Sequence, residues 1–270
     1  MSVVLGIDVG GSTTKIVGLR GEKLVGTMQV RAGDQLTSLF GAIGNFLLKN
    51  KIPLVEVASI SLTGVGATFI DEPIYGIETK KINEFQAVGQ GALRLSGLRE
   101  AFVISLGTGT AIVRAGEEGI RHVGGSGVGG GTIIGLSKLM LGKSDFESIV
   151  ALAAEGDLSN IDLTVRDIVG REIPSLPSDI TASNFGNVKS TATQADIALA
   201  IVNMVFQTAG MLAVLASRGD NVTDVVLTGT LTSIPQAPEL FALFKNLYNL
   251  SYCIPQNAVF ATALGAAYSR

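Results

Sequence analysis

The chain is poor in the residues that build redox and metal centres. It has one cysteine, Cys253, and one histidine, His122, in 270 residues. A single thiol excludes an internal disulfide and a metal site made of several thiolates from one chain. Cys253 reads as a small buried residue in a reducing compartment. Charge is also scarce: Asp, Glu, Lys and Arg make up 16% of the residues, with a net charge of -3. No cluster of Lys and Arg appears, which argues against a nucleic-acid surface. The N-terminus enters an apolar strand pattern at once, without the basic region of a secretory signal. No apolar stretch reads as long enough to span a bilayer. The expected setting is cytoplasmic, with neither nucleic acid nor membrane as a partner.

What is abundant is apolar surface and glycine: 47% of residues are apolar and 34 are glycine. That suffices for a sizeable core in one large or two modest domains. The glycines sit at the ends of apolar runs, which predicts tight turns and close approach of backbone to ligand. The chain is organised around Gly6–Lys15, GIDVGGSTTK. Val3, Val4, Leu5 and Ile7 form an apolar run with Asp8 near its end. Gly10, Gly11, Ser12 and Thr13 predict a turn, and Ile16, Val17 and Leu19 a returning strand. Successive turn N–H groups make a concavity suited to an anion. Ser12 and Thr13 add hydroxyl donors, and Lys15 a charge that reaches the same phosphate. Asp8, a hard oxygen donor at a strand end, suits Mg2+ or its water shell.

Spacing predicts strands over 2–9, 13–20 and 23–31, a helix over 36–48 capped by Asp34, a strand over 57–62 and a helix over 84–95. The opening pattern then returns. Phe102–Leu106 is apolar, Gly107-Thr108-Gly109-Thr110 turns, and Ala111–Val113 runs back. Aligning Gly10 with Gly107 sets Thr13 on Thr110 and Ile16 on Val113. Ile60–Gly64 and Val225–Gly229 form a second echo, each an apolar strand ending in Leu-Thr-Gly. These echoes predict a duplicated unit, a meander followed by strand–helix pairs. The lobes are expected at 1–98 and 99–270, with a hinge near 96–101. Further helices are predicted over 132–141, 145–155, 161–170, 194–217, 237–248 and 258–269. The long apolar segment within 194–217 suits a core helix or a subunit interface equally.

Two hairpin turns with hydroxylated residues can grip a polyphosphate from opposite sides. A glycine run opens the helix at 132. Helix N-termini offer unpaired N–H groups and the positive dipole end, so Gly127, Val128, Gly129, Gly130 and Gly131 are expected to floor a nucleotide site. The same run also permits close helix–strand packing. Gly229 and Thr230 follow the strand at 223–228, where an open α/β sheet binds ligand.

A resemblance rests on these residues. GIDVGGSTTK, SLGTGT and LTGT look like the two phosphate motifs and the adenosine motif of the actin, sugar-kinase and heat-shock ATPase superfamily. Nearly the whole chain resembles the type II pantothenate kinases. The segments that carry this are Asn83-Glu84-Phe85, RHVGGSGVGGG at 121–131, IDLTVRDI at 161–168 and TASNFGNV at 181–188. The resemblance implies an α/β fold of duplicated ribonuclease H-like, actin-like ATPase domains with a nucleotide cleft between them. It implies ATP-dependent phosphorylation of pantothenate, ATP and Mg2+ as cofactors, and a homodimer. Glu84 matches the family's general base. Arg121 matches an arginine that holds pantothenate or steadies transferred charge, and Thr108 a hydroxyl close to both the ATP phosphate and the substrate. Phosphoryl transfer needs in-line positioning, charge neutralisation and a carboxylate to accept the hydroxyl proton. By position alone Glu78 and Asp71 are rival bases, and a glutamate at a helix start is also favoured by the dipole. His122 is expected to be structural or solvated. Gln86 and Ala111 depart from the family pattern, which has an acidic residue and a serine there, and both bear on substrate preference. Three further readings share the fold: a kinase of another small hydroxylated substrate such as an N-acetylhexosamine, an ATP-driven activator of a radical dehydratase, and a non-catalytic nucleotide-binding module. Such activators use two cysteines per chain for an iron–sulfur cluster, and this chain has one.

Overall fold

A computed structural model describes residues 2–31, 33–169, 177–178 and 180–269. The chain opens with an antiparallel meander, β1 (Val3–Val9), β2 (Thr13–Arg20) and β3 (Lys23–Arg31). All of β1 is buried, as expected of a central strand covered on both faces. In α1 (Gln35–Lys49) the Asp34 carboxylate accepts from Thr37 N at 2.7 Å, so the cap starts the helix where its apolar stripe begins. That stripe buries Leu39, Ile43, Phe46 and Leu47. β4 (Val57–Thr63) returns parallel to β1, β5 (Thr79–Lys81) lies parallel to β4, and α2 (Glu84–Ser96) closes the half.

The second half repeats the plan. β6 (Ala101–Leu106), β7 (Thr110–Gly116) and β8 (Gly119–Ser126) form a second antiparallel meander. An insertion follows: α3 (Gly130–Leu141), α4 (Phe146–Ala153), β9 (Leu163–Thr164), α5 (Val165–Val169) and β10 (Thr181–Ser183), with β9 and β10 paired in a small sheet. Then come α6 (Gln194–Ser217), β11 (Asp224–Thr228) parallel to β6, α7 (Ala237–Tyr248), β12 (Ser251–Cys253) parallel to β11, and α8 (Ala261–Tyr268). The sheets run β3-β2-β1-β4-β5 and β8-β7-β6-β11-β12, the same order and the same strand directions. Cys253 is half-buried on β12, and burial pushes its thiol up.

The helix predicted over 161–170 begins only at Val165, and Gly170 lies outside the described residues. Asp162 is fully buried and accepts from Phe185 N at 2.9 Å, Thr181 Oγ1 at 3.0 Å and Asn203 Nδ2 at 2.9 Å. These bonds draw residues 161–164 into a turn and a strand in place of a helical turn.

α6 corrects a second expectation, that no apolar run reaches bilayer length. It has 24 residues and an 18-residue window of mean hydropathy 1.9, long and apolar enough to cross a membrane. Yet 61% of that window is buried inside the fold. Val202, Val205 and Phe206 share one core with Phe102, Ile133, Ile149 and Phe241, from β6, α3, α4 and α7. A helix enclosed on several sides keeps little polar face.

α2 and α8 are exchanged between the halves. Val88 and Ala92 of α2 pack on Val103, Val113 and Val226 of the second sheet, while Ala263, Leu264 and Ala267 of α8 pack on Val4, Val17 and Leu19 of the first. The two helices cross at glycines. A Cβ on Gly91 would land on the Ala261 carbonyl, and one on Gly265 on the Ala87 carbonyl. Only glycine allows backbones this close.

Candidate phosphate-binding cleft

The exchanged helices bring the two hairpins face to face. Ser12 Oγ and Thr108 Oγ1, one on each turn, are 3.1 Å apart. Gly64 and Gly229 end the equivalent strands β4 and β11 with φ of 87° and 92°. A Cβ on Gly64 would meet Asp8 Oδ1 and Val9 O, and one on Gly229 would meet the Leu106 carbonyl. Both strand ends therefore press directly against the hairpins.

The turns differ in length, which corrects the alignment of the two motifs. In the first, Val9 stands opposite Thr14, and Gly10 N donates to Thr13 O at 3.0 Å. In the second, Leu106 stands opposite Thr110, and Gly107 N donates to Gly109 O at 2.9 Å. The second turn is one residue tighter, so Thr110 occupies the place of Thr14 and Ala111 that of Lys15. Turn length sets hairpin register, and a threonine on both sides of the shift hides it in the sequence.

Between the hairpins lies a cleft of about 740 Å3, within the usual span of small-molecule sites, roughly 300–1,000 Å3. It is lined by Asp8, Gly10, Gly11, Ser12, Thr13, Lys15, Glu84, Thr108, Gly130, Gly131, Gly229 and Thr230. Arg121, Gly127, Val128 and Gly129 are not among its lining residues. Arg121 is exposed on β8, opposite Arg114 of β7. The glycine run is also less free than a bare helix end. Gly130 N donates to Gly107 O and Gly131 N to Thr108 O, each at 2.9 Å. A Cβ on Gly129 would collide with the Thr108 and Gly109 backbone. Two N–H groups expected to face an anion are thus engaged in bracing the second turn.

The buried charge in the cleft comes from the first hairpin. Asp8 and Lys15 are direct cross-strand partners, each 7% exposed, with Lys15 Nζ 3.7 Å from Asp8 Oδ2. Burial pushes the Asp8 carboxyl above the ordinary carboxylate range, and Lys15 only partly offsets this. Among the described residues no group of three or more His, Cys, Asp or Glu gathers as a metal site. A divalent cation at Asp8 would draw its remaining oxygens from phosphates and water, the usual habit of Mg2+. A buried carboxylate whose single ion-pair partner, Lys15, stands at 3.7 Å fits that role.

Glu84 is the first residue of α2, exposed on the cleft wall. Asn83 Oδ1 caps the helix by accepting from Phe85 N at 3.0 Å and Gln86 N at 3.2 Å. Phe85 stacks on His122 at 4.0 Å, and Gln86 Nε2 donates to Ile120 O at 2.9 Å. His122 and Gln86 therefore pin the start of α2 to β8. Partial loss of hydration raises the Glu84 carboxyl, Asp8 raises it further, and Lys15 lowers it. The rivals Glu78 and Asp71 pair with Lys80 and Lys81 and do not line the cleft. Gln29 and Arg31 of β3 do line it, opposite Lys15 and Thr13, and were not anticipated. Period-two alternation carried across the meander would have placed them on that face.

Two sheets of one order meeting at paired phosphate-type hairpins define the class: an actin-like ATPase and sugar-kinase fold. The activator of the 2-hydroxyisocaproyl-CoA dehydratase from Clostridium difficile, solved with bound ADPNP, shares this fold with a TM-score of 0.71 at 16% identity, over 98% of this chain and 92% of that one. Residues 100–237 match the Fumble family. The type II pantothenate kinase of Staphylococcus haemolyticus (strain JCSC1435) is 30% identical over 98% of both chains, and that of Bacillus cereus (strain G9842) is 27% identical over the same shares. The chain belongs to the family of the type II pantothenate kinases.

Proposed function

We propose that this protein transfers the γ-phosphoryl group of ATP to the primary hydroxyl of pantothenate, forming 4'-phosphopantothenate in the first step of coenzyme A synthesis. The reading is supported by full-length likeness to type II pantothenate kinases, together with Glu84 lining the same cleft as both hairpins. Glu84 accepts the hydroxyl proton as the oxygen attacks phosphorus. Its raised pKa makes it a better base than an ordinary carboxylate. Gly10, Gly11, Ser12, Thr13, Lys15 and Thr108 hold the phosphates, and Gly229 with Thr230 frames the rest of the nucleotide. The run Gly127–Gly131 acts chiefly as a rigid backing for the Thr108 turn. Mg2+, held at Asp8, would neutralise phosphate charge. Arg121 serves pantothenate where the substrate extends from the cleft towards β8.

The two halves of the sequence are residues 1–98 and 99–270, joined by the exchanged helices; because Val88, Ala92 and Leu98 pack with Ala101 and Val103, the chain crosses between the packed units where it enters α2 and α8, and the hinge expected near 96–101 moves there. Closure excludes water and limits idle hydrolysis of ATP. The working form is a cytoplasmic homodimer. An ADP-release assay over pantothenate and N-acetylglucosamine tests the assignment. Turnover with pantothenate is expected; turnover with N-acetylglucosamine alone overturns it.

A further inference from the structure

Among the described residues, two side-chain hydrogen bonds span the cleft. One is the Ser12–Thr108 pair at the turns. The other lies at the end of β3, where Arg31 Nη2 donates to Asp145 Oδ1 at 2.8 Å, joining residues 114 apart in sequence. Arg31 belongs to the first sheet, and Asp145 leads into α4 of the second half. Arg31 lines the cleft, as do Ser144 and Phe146 on either side of Asp145.

The two oxygens of Asp145 have separate tasks. Oδ2 accepts from Ser148 N at 3.0 Å and Ser148 Oγ at 2.9 Å, capping α4. Oδ1 is left for Arg31. The cap holds the carboxylate in place, so the guanidinium docks on a preset acceptor. Arg31 is the largest of several influences that hold the Asp145 carboxyl down at about 2, and the pair stays charged at any working pH.

We propose that Arg31 is a positioning residue for the nucleotide: its ion pair with Asp145 latches the two halves over the phosphate hairpins and weights the cleft towards its closed form. An exposed ion pair is weak, so it biases an equilibrium and does not lock it. A ligand that needs the closed cleft binds in proportion to the closed fraction. Loosening the latch therefore weakens nucleotide binding and hastens release, with the reacting atoms untouched. The inference rests on the nucleotide-binding part of the proposed function and is independent of pantothenate.

Asp145→Asn separates latch from cap. Asparagine caps helices as well as aspartate does, so its carbonyl oxygen can keep Ser148 while its NH2 faces Arg31 and repels it. Arg31→Ala removes the other partner, and Arg31→Lys returns the charge without the fork. Calorimetric titration with ADP and with AMP-PNP, plus ATP kinetics, reads the effect. D145N and R31A should each raise the ADP Kd and the ATP KM about two- to fivefold. The double variant should be no worse than either single one, since both break the same pair. R31K should recover part of the affinity. Unchanged ADP affinity in either single variant, additive effects in the double, or losses that merely follow a lowered Tm would each overturn the latch. Latch-dependent ADP binding without phosphorylation of pantothenate would instead overturn the substrate assignment alone.

Discussion

At matching places in the two hairpins, Asp8 stands opposite Lys15 in the first, and Ser105 stands opposite Ala111 in the second. All four line the cleft. Strand order and direction are the same on both sides, so the backbone does not decide which half carries charge. The first half supplies a buried cation and carboxylate, and the second supplies none at this pair. What the second half offers is rigidity, because Gly130 and Gly131 brace its turn through backbone hydrogen bonds. The two halves share one backbone plan, and their side chains polarise the cleft. The cleft has a charged wall on one side and a stiff, hydroxylated one on the other.

The largest test of this division is Glu84→Gln, which should lower kcat by about 10²- to 10⁴-fold while ADP binding persists. Glu84 must be deprotonated to act, and its carboxyl is raised by partial loss of hydration and by Asp8. Activity should therefore fall with decreasing pH through a midpoint above the ordinary carboxylate range. Turnover at the native rate in E84Q would remove Glu84 from the chemistry.

Next in size is Lys15→Ala, which makes the first hairpin resemble the second at this position. Loss of the cation should cost about 10²-fold in turnover, by analogy with the removal of one charge-stabilising donor. It also removes the attraction that holds Asp8 down, so the loss should be greatest at acid pH. A pH profile parallel to the native one would show that the Asp8–Lys15 pair does not set the cleft's charge.

The smallest effect is expected from Ala111→Ser, which adds a hydroxyl opposite Ser105. One hydrogen bond contributes about 0.5–1.5 kcal/mol net, so the pantothenate KM should shift by about two- to tenfold. An unmoved KM would place the substrate away from this wall.

Where apolar period and capping chemistry coincide, the elements were legible. α1 begins beside Asp34 and α2 at Glu84 after Asn83, while α7, which has no side-chain cap, spans 237–248 by its spacing alone. β5 and β12 were not, since three residues give no period to read. The helix expected at 161 was lost to bonds that Asp162 makes with residues about 20 to 40 positions later. In the site, Asp8, Lys15 and both turns were readable because glycine and polar residues punctuate apolar runs. Alternation across the meander marks the face of Arg31, but nothing local marks its partner, which lies on the other half.

Local order alone settled that this chain holds two hairpins of glycine and hydroxyl residues, each feeding a half of the same design. Turn chemistry and side-chain periodicity act over a few residues and leave their mark in the letters. Tertiary structure decided that α2 and α8 trade sheets, that the second turn is a residue shorter, that Gly130 and Gly131 spend their N–H groups on bracing it, and that Arg31 meets Asp145. Each of these is a contact between distant segments, set by how the backbones fit once packed, and packing has no signature in a single stretch of sequence.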